Sequence, residues 1–263
     1  MGERLRGVDM ALLETQGLGK LYGKLQAVKD LDFTVEEGEL RGLIGPNGAG
    51  KTTVFNMLTG FDPPSAGRIY FRGEDITGLP AHKIAHKGIA RAFQQSYLFM
   101  DQTVIQNVLV GCHMSCRAGA IREFLHTPRA RQHERAARDK AAQIIDFMGM
   151  TGLTNEFAGN LSHGQQRALG VGMALACDPT LLLLDEPVTG MNPTESAEMV
   201  ERINKIRQSG VTIVLVEHSM EVVMNVCDLI TVVSYGEKLA EGTPQEIRND
   251  CNVIEAYLGK EEA

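Results

Sequence analysis

No stretch of this 263-residue chain approaches the ~18 consecutive apolar residues that a membrane-spanning helix requires. The first residues likewise lack the apolar core of a secretory leader, so a chain that stays in the cytoplasm is expected. Arg6 breaks the N-myristoylation pattern that Met1-Gly2 begins. Cysteines are few and odd in number, five at irregular spacing, which argues against a disulfide framework and suits reduced thiols. Cys112-His113-Met114-Ser115-Cys116 has helical spacing without a second ligand cluster, and so reads as helix surface, not as a metal site. Low-complexity segments and internal repeats are missing. So is an excess of positive charge: the net charge of −7 argues against a general affinity for nucleic acid.

What is present is an ordinary globular composition, 43% hydrophobic and 22% charged. A chain of this length buries roughly three quarters of its unfolded surface, enough for one large domain or a core with a subdomain. The stretch that organises it is Gly45-Pro46-Asn47-Gly48-Ala49-Gly50-Lys51-Thr52-Thr53. It fits the phosphate-cradling pattern G-x-x-x-x-G-K-[ST]. The apolar run Leu40 to Ile44, interrupted by Arg41 and Gly42, precedes it, and helical character follows from Thr53 to Leu58. Glycines let backbone N–H groups close around phosphate oxygens, and the new helix points about half a positive charge at the same anion. Lys51 then reaches the β- and γ-phosphates and the Thr52 hydroxyl ligates Mg²⁺. An ordinary glycine turn is the alternative; a match this long arises by chance in roughly one chain in a hundred of this size.

Upstream, Leu12–Thr15 and Ala27–Val35 read as alternating strands. Tyr22 lies between them, either a strand-end packing residue or an aromatic that stacks on a purine. Gly60 closes the first helix, Asp62–Gly67 is a turn, and Arg68–Arg72 is a strand. Leu79–Lys87 reads as helix, and Gly88–Phe93 runs into Gln94-Gln95. From about Val104 to Gly159 the pattern turns helical, with Arg117, Arg122, Arg129, Arg131, Arg135, Arg138 and Lys140. Such a run is either a solvated helix face or a surface that docks a protein or anionic lipid. It reads as a helical insertion, about residues 95–160, in an α/β core.

Leu161-Ser162-His163-Gly164-Gln165 opens the next helix. Ser162 with Gln165 three residues on is a capping box, yet a glycine in a first turn also leaves N–H donors open to phosphate. Leu181–Leu184 is a buried parallel strand delivering Asp185 and Glu186 at its C-terminal end, where open α/β sheets bind ligands. Asp185 is placed to hold Mg²⁺ and Glu186 to polarise the attacking water. Asn192-Pro193-Thr194-Glu195 starts a helix with a cap and a proline at its first position. Val211–Val216 is a further core strand, and at its end comes His218, either a structural histidine or, beside a phosphate site, a hydrogen-bond donor to the γ-phosphate. Leu229–Val233 reads as the last strand, and Thr243–Glu246 caps a short C-terminal helix.

The phosphate loop, Gln94, the segment Leu161–Gln165, Asp185-Glu186 and His218 come in the order found in ATP-binding subunits of ABC transporters, which the chain resembles over nearly its whole length. Within that family it looks closest to the larger ATPase subunit of branched-chain amino acid uptake systems. Carrying that likeness are Thr53–Phe61, the long basic insertion, Gly190-Met191-Asn192-Pro193-Thr194-Glu195, and Glu241–Pro244 through Ala256-Tyr257-Leu258-Gly259.

The resemblance implies one nucleotide-binding domain over residues 1–263. It would have a phosphate-loop core with a mostly parallel sheet, an N-terminal antiparallel β subdomain, the helical insertion, and a C-terminal helical extension from about 241. It implies ATP and Mg²⁺ as ligands, Glu186, His218, Lys51 and Gln94 as catalytic residues, and Thr52, Gln94 and Asp185 at the metal. Nucleotide contacts would come from Tyr22, Gly45, Pro46, Asn47, Gly48, Ala49, Gly50, Lys51, Thr52 and Thr53. Gln165 and Asn192 would also contact nucleotide, and Ser162 and Gly164 would complete the site of a second ATP-binding subunit, another copy or a sister chain. The Gln94 loop and the insertion would receive a cytoplasmic helix of a transmembrane permease. An extracytoplasmic amino-acid-binding protein would be an indirect partner, nucleic acid none, and the location the cytoplasmic face of the cell membrane. Departures from the family pattern are His163 for glycine or tyrosine, Asn192 for the aspartate of many relatives, and Ser219 for aspartate. A fourth, Gly170-Val171-Gly172-Met173, replaces a helix segment that carries an acidic residue and an arginine; two glycines there cost roughly 1–2 kcal/mol against alanine. Gln94 is preferred to Gln95 because it follows Phe93. A soluble ABC-type ATPase of translation or DNA repair, or an importer ATPase for urea or amides, is the alternative. A guanine-binding protein needs N-K-x-D, and Asn204-Lys205-Ile206-Arg207 lacks the aspartate.

Overall fold

The computed structural model describes residues 11–92, 98–115 and 128–258, and side chains only outside 113–115, 128–131 and 258. The chain opens with an antiparallel hairpin, β1 (Leu13–Tyr22) and β2 (Leu25–Val35). The strand β3 (Leu40–Ile44) then leads through the glycine loop into helix α1 (Lys51–Leu58). Next come β4 (Ala66–Phe71), β5 (Glu74–Asp75), α2 (Ala81–His86) and β6 (Ile89–Ala92). The helical part holds α3 (Val104–Ser115) and α4 (Pro128–Phe147), and α5 (His163–Leu175) returns the chain to the core. The strands β7 (Leu181–Asp185), β8 (Thr212–Val216) and β9 (Leu229–Ser234) alternate with α6 (Pro193–Gln208) and α7 (Met220–Val226). β10 (Glu237–Gly242), α8 (Pro244–Asn249) and α9 (Cys251–Leu258) finish the described chain.

Two sheets result. One is antiparallel, in the order β2-β1-β4-β5; the other, in the order β10-β9-β3-β8-β7-β6, is parallel apart from its β10 edge. The period of two along a strand sorts side chains to the two faces of the larger sheet. Leu182, Leu184, Ile213 and Leu215 join the cluster packed by α3 to α6, whereas Leu181, Leu183, Val214 and Val216 join the one shared with the antiparallel sheet and α1. Burial on both faces explains the unbroken apolar runs.

The interruption at Arg41-Gly42 has a packing reason. Arg41, 3% exposed, is paired with Glu39 at 2.7 Å, and a Cβ on Gly42 would stand 3.0 Å from Cys227 Sγ. The glycines of α5 do not break it: the helix runs continuously from His163 to Leu175, with Ile144 of α4 and Met148 just after it at ordinary contact distance from where a Cβ of Gly172 would sit.

Three expectations need revising. β1 extends well past Thr15, through Leu18 to Tyr22, because irregular pairing around Gly17 and Gly19 hides its alternation. β9 is not the last strand: β10 follows it as a polar, largely exposed edge strand whose sequence carries no alternation to read. The basic run is partly spoken for, since Lys140 binds Asp178 and the Ala176 carbonyl, and Arg138 pairs with Glu134 one turn away. Arg117 and Arg122, and the side chains of Arg129 and Arg131, lie outside the described residues.

Candidate nucleotide site

Two positions in the loop between β3 and α1 have room only for glycine. At Gly45 (φ 154°) an added Cβ would meet the Val233 carbonyl at 2.0 Å, and at Gly50 (φ 104°) it would meet the Ala27 carbonyl at 2.5 Å. Gly48 (φ 79°) adopts the same left-handed half of backbone space. Gly50 is the N-cap of α1 and brings no side-chain acceptor, so the first-turn N–H groups of this helix meet no side-chain cap, unlike those of α5. Lys51 is 6% exposed, and its Nζ donates to the carbonyls of Gly45 (2.6 Å) and Pro46 (3.1 Å). The arrangement is a curved cradle of N–H donors with an ammonium at its edge, which suits an anion with several oxygens.

A cleft of about 540 Å³ lies along this loop, lined by Asn47, Gly48, Ala49, Gly50, Lys51, Thr52 and Thr53, and also by Tyr22, Glu186 and His218. Gly45 and Pro46 do not line it. Gly45 turns against β9, and Pro46 faces a second cavity of about 390 Å³ between the loop and α9. Tyr22, at the end of β1, is 44% exposed, and its hydroxyl donates to Asp62, whose carboxylate also takes the Lys20 ammonium. That carboxylate raises the Tyr22 phenol above its ordinary value. Tyr22 is thus both the strand-end residue and an aromatic face at the cleft.

Asp185 ends β7 and Glu186 follows it. Glu186 holds φ at +51°, unusual for a residue with a side chain, while its N–H donates to the Val216 carbonyl of β8 at 2.8 Å. This twist aims Glu186 into the cleft, where its Oε1 lies 2.6 Å from His218 Nε2. Asp185 is 5% exposed and paired with Arg91 of β6 at 2.5 Å. Two further groups brace the pair. Arg167 of α5 donates to the Glu186 carbonyl at 2.6 Å. Glu217, 1% exposed, accepts from the backbone N–H groups of Val188 (2.8 Å) and His218 (3.0 Å), and burial pushes its carboxyl up. Arg91, Arg167 and Glu217 were not among the expected site residues. An arginine inside the apolar run Ile89–Ala92 was the one available signal for Arg91.

Ser162, Gly164, Gln165 and Asn192 do not line the cleft. They form a cluster of their own where the N-termini of α5 and α6 meet. Ser162 and Gln165 make the reciprocal capping box, with 3.2 Å and 2.9 Å bonds, and Asn192 makes the same box with Glu195. A Cβ on Gly164 would stand 2.9 Å from the Glu195 carboxyl, so the glycine permits this contact. Gln94, expected at the metal and γ-phosphate, lies outside the described residues, as does Gln95. For Mg²⁺ the expected protein ligands are hard oxygens, the Thr52 hydroxyl, which lines the cleft, and the Asp185 carboxylate, which is buried and does not line it. That donor set fits an ion which takes one or two carboxylates and shares the rest of its shell with substrate phosphates.

Among the described residues no helix is long and apolar enough to cross a membrane. Residues 28–189 match the model of the ABC transporter family, and residues 237–263 match that of the branched-chain amino acid ATP-binding cassette transporters. The chain is 44% identical over 250 residues to the high-affinity branched-chain amino acid transport ATP-binding protein BraF of Pseudomonas aeruginosa, covering 95% of this chain and 98% of that one. It is 43% identical over 254 residues to the LivG protein of the same description from Escherichia coli, covering 96% and 100%. Among solved structures it superposes on a nucleotide-free ATP-binding cassette from an ABC transporter with a TM-score of 0.83 at 30% identity, covering 95% of this chain and 100% of that one. An ATP-binding cassette in its ADP conformation gives the same values.

Proposed function

Because the chain belongs to the ABC transporter family, we propose that it is the ATP-hydrolysing subunit of an importer for branched-chain amino acids. The observation that carries the chemistry is the Glu186–His218 pair, 2.6 Å apart at the ends of neighbouring strands and open to the cleft that the phosphate loop lines. In-line attack of water on a γ-phosphate needs little covalent chemistry from a protein; it needs a positioned water and charge stabilisation. Glu186 accepts a proton from the water, and His218, whose Nε2 lies against the Glu186 carboxylate, would turn its single ring N–H to the phosphoryl oxygens once nucleotide is bound. Lys51 and the N–H groups of Gly48 to Thr52 hold the phosphates, with Tyr22 against the base. Thr52, Asp185 and Gln94 would hold Mg²⁺, which when bound neutralises charge building on the phosphoryl group. The separate cluster of Ser162, Gly164, Gln165 and Asn192 suits a site completed in trans, in which a second ATP-binding subunit, a like copy or a sister chain, closes over the nucleotide. The whole chain acts as one nucleotide-binding unit, and its helical insertion takes a permease helix at the cytoplasmic face of the membrane. The names of the BraF and LivG relatives support the cargo class, which implies an amino-acid-binding protein on the far side.

The test uses a tagged Glu186→Gln chain in its native cell. It is expected to bind ATP yet hydrolyse it on the order of 10²–10⁴ times more slowly than the native chain. It should also co-purify from solubilised membranes, with ATP, bringing a multispanning permease. Unimpaired turnover removes Glu186 from its role; ribosomal or DNA-repair proteins in place of a permease remove the transport reading.

A further inference from the structure

Arg91 occupies a position that an apolar residue would be expected to fill. It sits in β6 between Ala90 and Ala92, on the face where its strand neighbour Ile89 is buried in the cluster shared with α1. Its side chain is 5% exposed. A guanidinium there is strongly unfavourable unless its donors are paired. Three observations show how it is held. One arm, Nη2, donates to Asp185 Oδ2 at 2.5 Å, the other, Nη1, to Asn56 Oδ1 of α1 at 2.7 Å, and the Cζ lies 5.5 Å from the centre of the Phe55 ring. The planar fork therefore fixes three elements to one another: α1, which follows the phosphate loop; β7, which ends in Asp185; and β6, whose chain enters residues 93–97 two positions later. Asp185 is itself 5% exposed, and a buried carboxylate at the end of a strand has several rotamers until something selects one.

We propose that Arg91 is the positioning residue of the metal site: by gripping Asp185 Oδ2 and Asn56 together, it sets the carboxylate's orientation relative to the helix that carries Thr52. Arg91 makes no contact with the nucleotide and acts through Asp185. The inference rests on the reading of Asp185 as a Mg²⁺ residue. A cation so near the metal also repels it, so the proposal states which effect wins: orientation outweighs repulsion, and losing Arg91 weakens Mg²⁺ binding. Charge alone is not enough, because lysine offers a point charge where arginine offers a two-pronged planar fork.

The experiment is done in the full Glu186→Gln chain, where slow turnover allows equilibrium binding to be read. A fluorescent ATP analogue is titrated with and without Mg²⁺, and the Mg²⁺ concentration for half-maximal enhancement is measured. Arg91→Met is expected to raise that concentration about tenfold, the scale of losing a residue that orients a metal ligand, while leaving metal-free nucleotide affinity within about twofold. Arg91→Lys should recover only part of the loss, and Asn56→Ala, which removes one leg and keeps the ion pair, should give about a twofold to threefold rise. Arg91→Met combined with Asp185→Asn should be no worse than Asp185→Asn alone. An unchanged or lowered Mg²⁺ requirement in Arg91→Met overturns the proposal, as does full rescue by lysine. Should Arg91→Met fail to fold, Asn56→Ala decides by the same readout. Asp185→Asn separates the two levels: if it leaves the Mg²⁺ titration unmoved, the metal reading fails; if it shifts the titration and the Arg91 and Asn56 variants do not, only this inference fails.

Discussion

Burial pushes the Cys227 thiol up to about 12, because its sulfur is packed against Gly42 under the central strand and faces Asp228. At pH 8 only about one molecule in ten thousand then carries the thiolate that reacts. Cys251, on the first turn of α9, is exposed. Maleimide treatment of the native chain at pH 8, followed by peptide mapping, should mark Cys251 within minutes and reach Cys227 and the buried Cys112 only after unfolding. Equal labelling of Cys227 and Cys251 would contradict the packing. That Lys51, Glu186 and His218 lie along one cleft was legible in the sequence, because Lys51 sits in the glycine loop and the other two follow apolar core strands. Arg91, Arg167 and Glu217 were not, since their partners Asp185, Glu186 and Val188 lie 94, 19 and 29 positions away. A single sequence names a charged residue; only the fold supplies the group it faces.

Among elements, the crossing of α3 and α5 depends on one glycine. A Cβ on Gly111 would come within 2.3 Å of the Met173 carbonyl and 2.8 Å of Ala176 Cβ. Gly172, on the same helix as Met173, has only ordinary contacts at 3.4 and 3.5 Å. The two should respond with opposite signs. Gly111→Ala must push the helices apart and is expected to lose about 1–3 kcal/mol, lowering the melting temperature by several degrees. Gly172→Ala gains up to about 1 kcal/mol of helix propensity against little resistance. Thermal melts of both variants, followed by circular dichroism, check this; a stabilised Gly111→Ala would refute the close crossing. The departure Gly170–Met173 therefore leaves α5 intact as a helix. Element types were readable wherever burial on two faces gives apolar runs, as in β7 and β8, or where a capping box marks a start, as in α5, α6 and α8. β10 escaped because an exposed edge strand such as Glu237–Gly242 needs no apolar alternation.

For the whole molecule, strand order differs from chain order. β3 stands between β8 and β9, so Leu40 pairs with Ile213 and Arg41 with Leu229, and the glycine loop is closed by Val233 behind Gly45 and by the Gly236 N–H on the Ala49 carbonyl (3.0 Å). A chain truncated before Leu229 keeps every residue of the phosphate loop but loses that wall. It should show no ATP-analogue binding above background in a fluorescence titration, although it retains Lys51, Asp185, Glu186 and His218. Measurable micromolar binding would show that the loop closes without its wall. The same topology governs the order of events during synthesis. The central strand emerges early and waits for most of the chain before either neighbour arrives, and pairings so far apart in sequence form slowly. A growing chain thus carries its nucleotide-binding residues long before it owns a nucleotide site. ATP capture becomes a property of the finished product, and the exposed apolar strand that waits for its neighbours is the part a cell's folding helpers would have to shield.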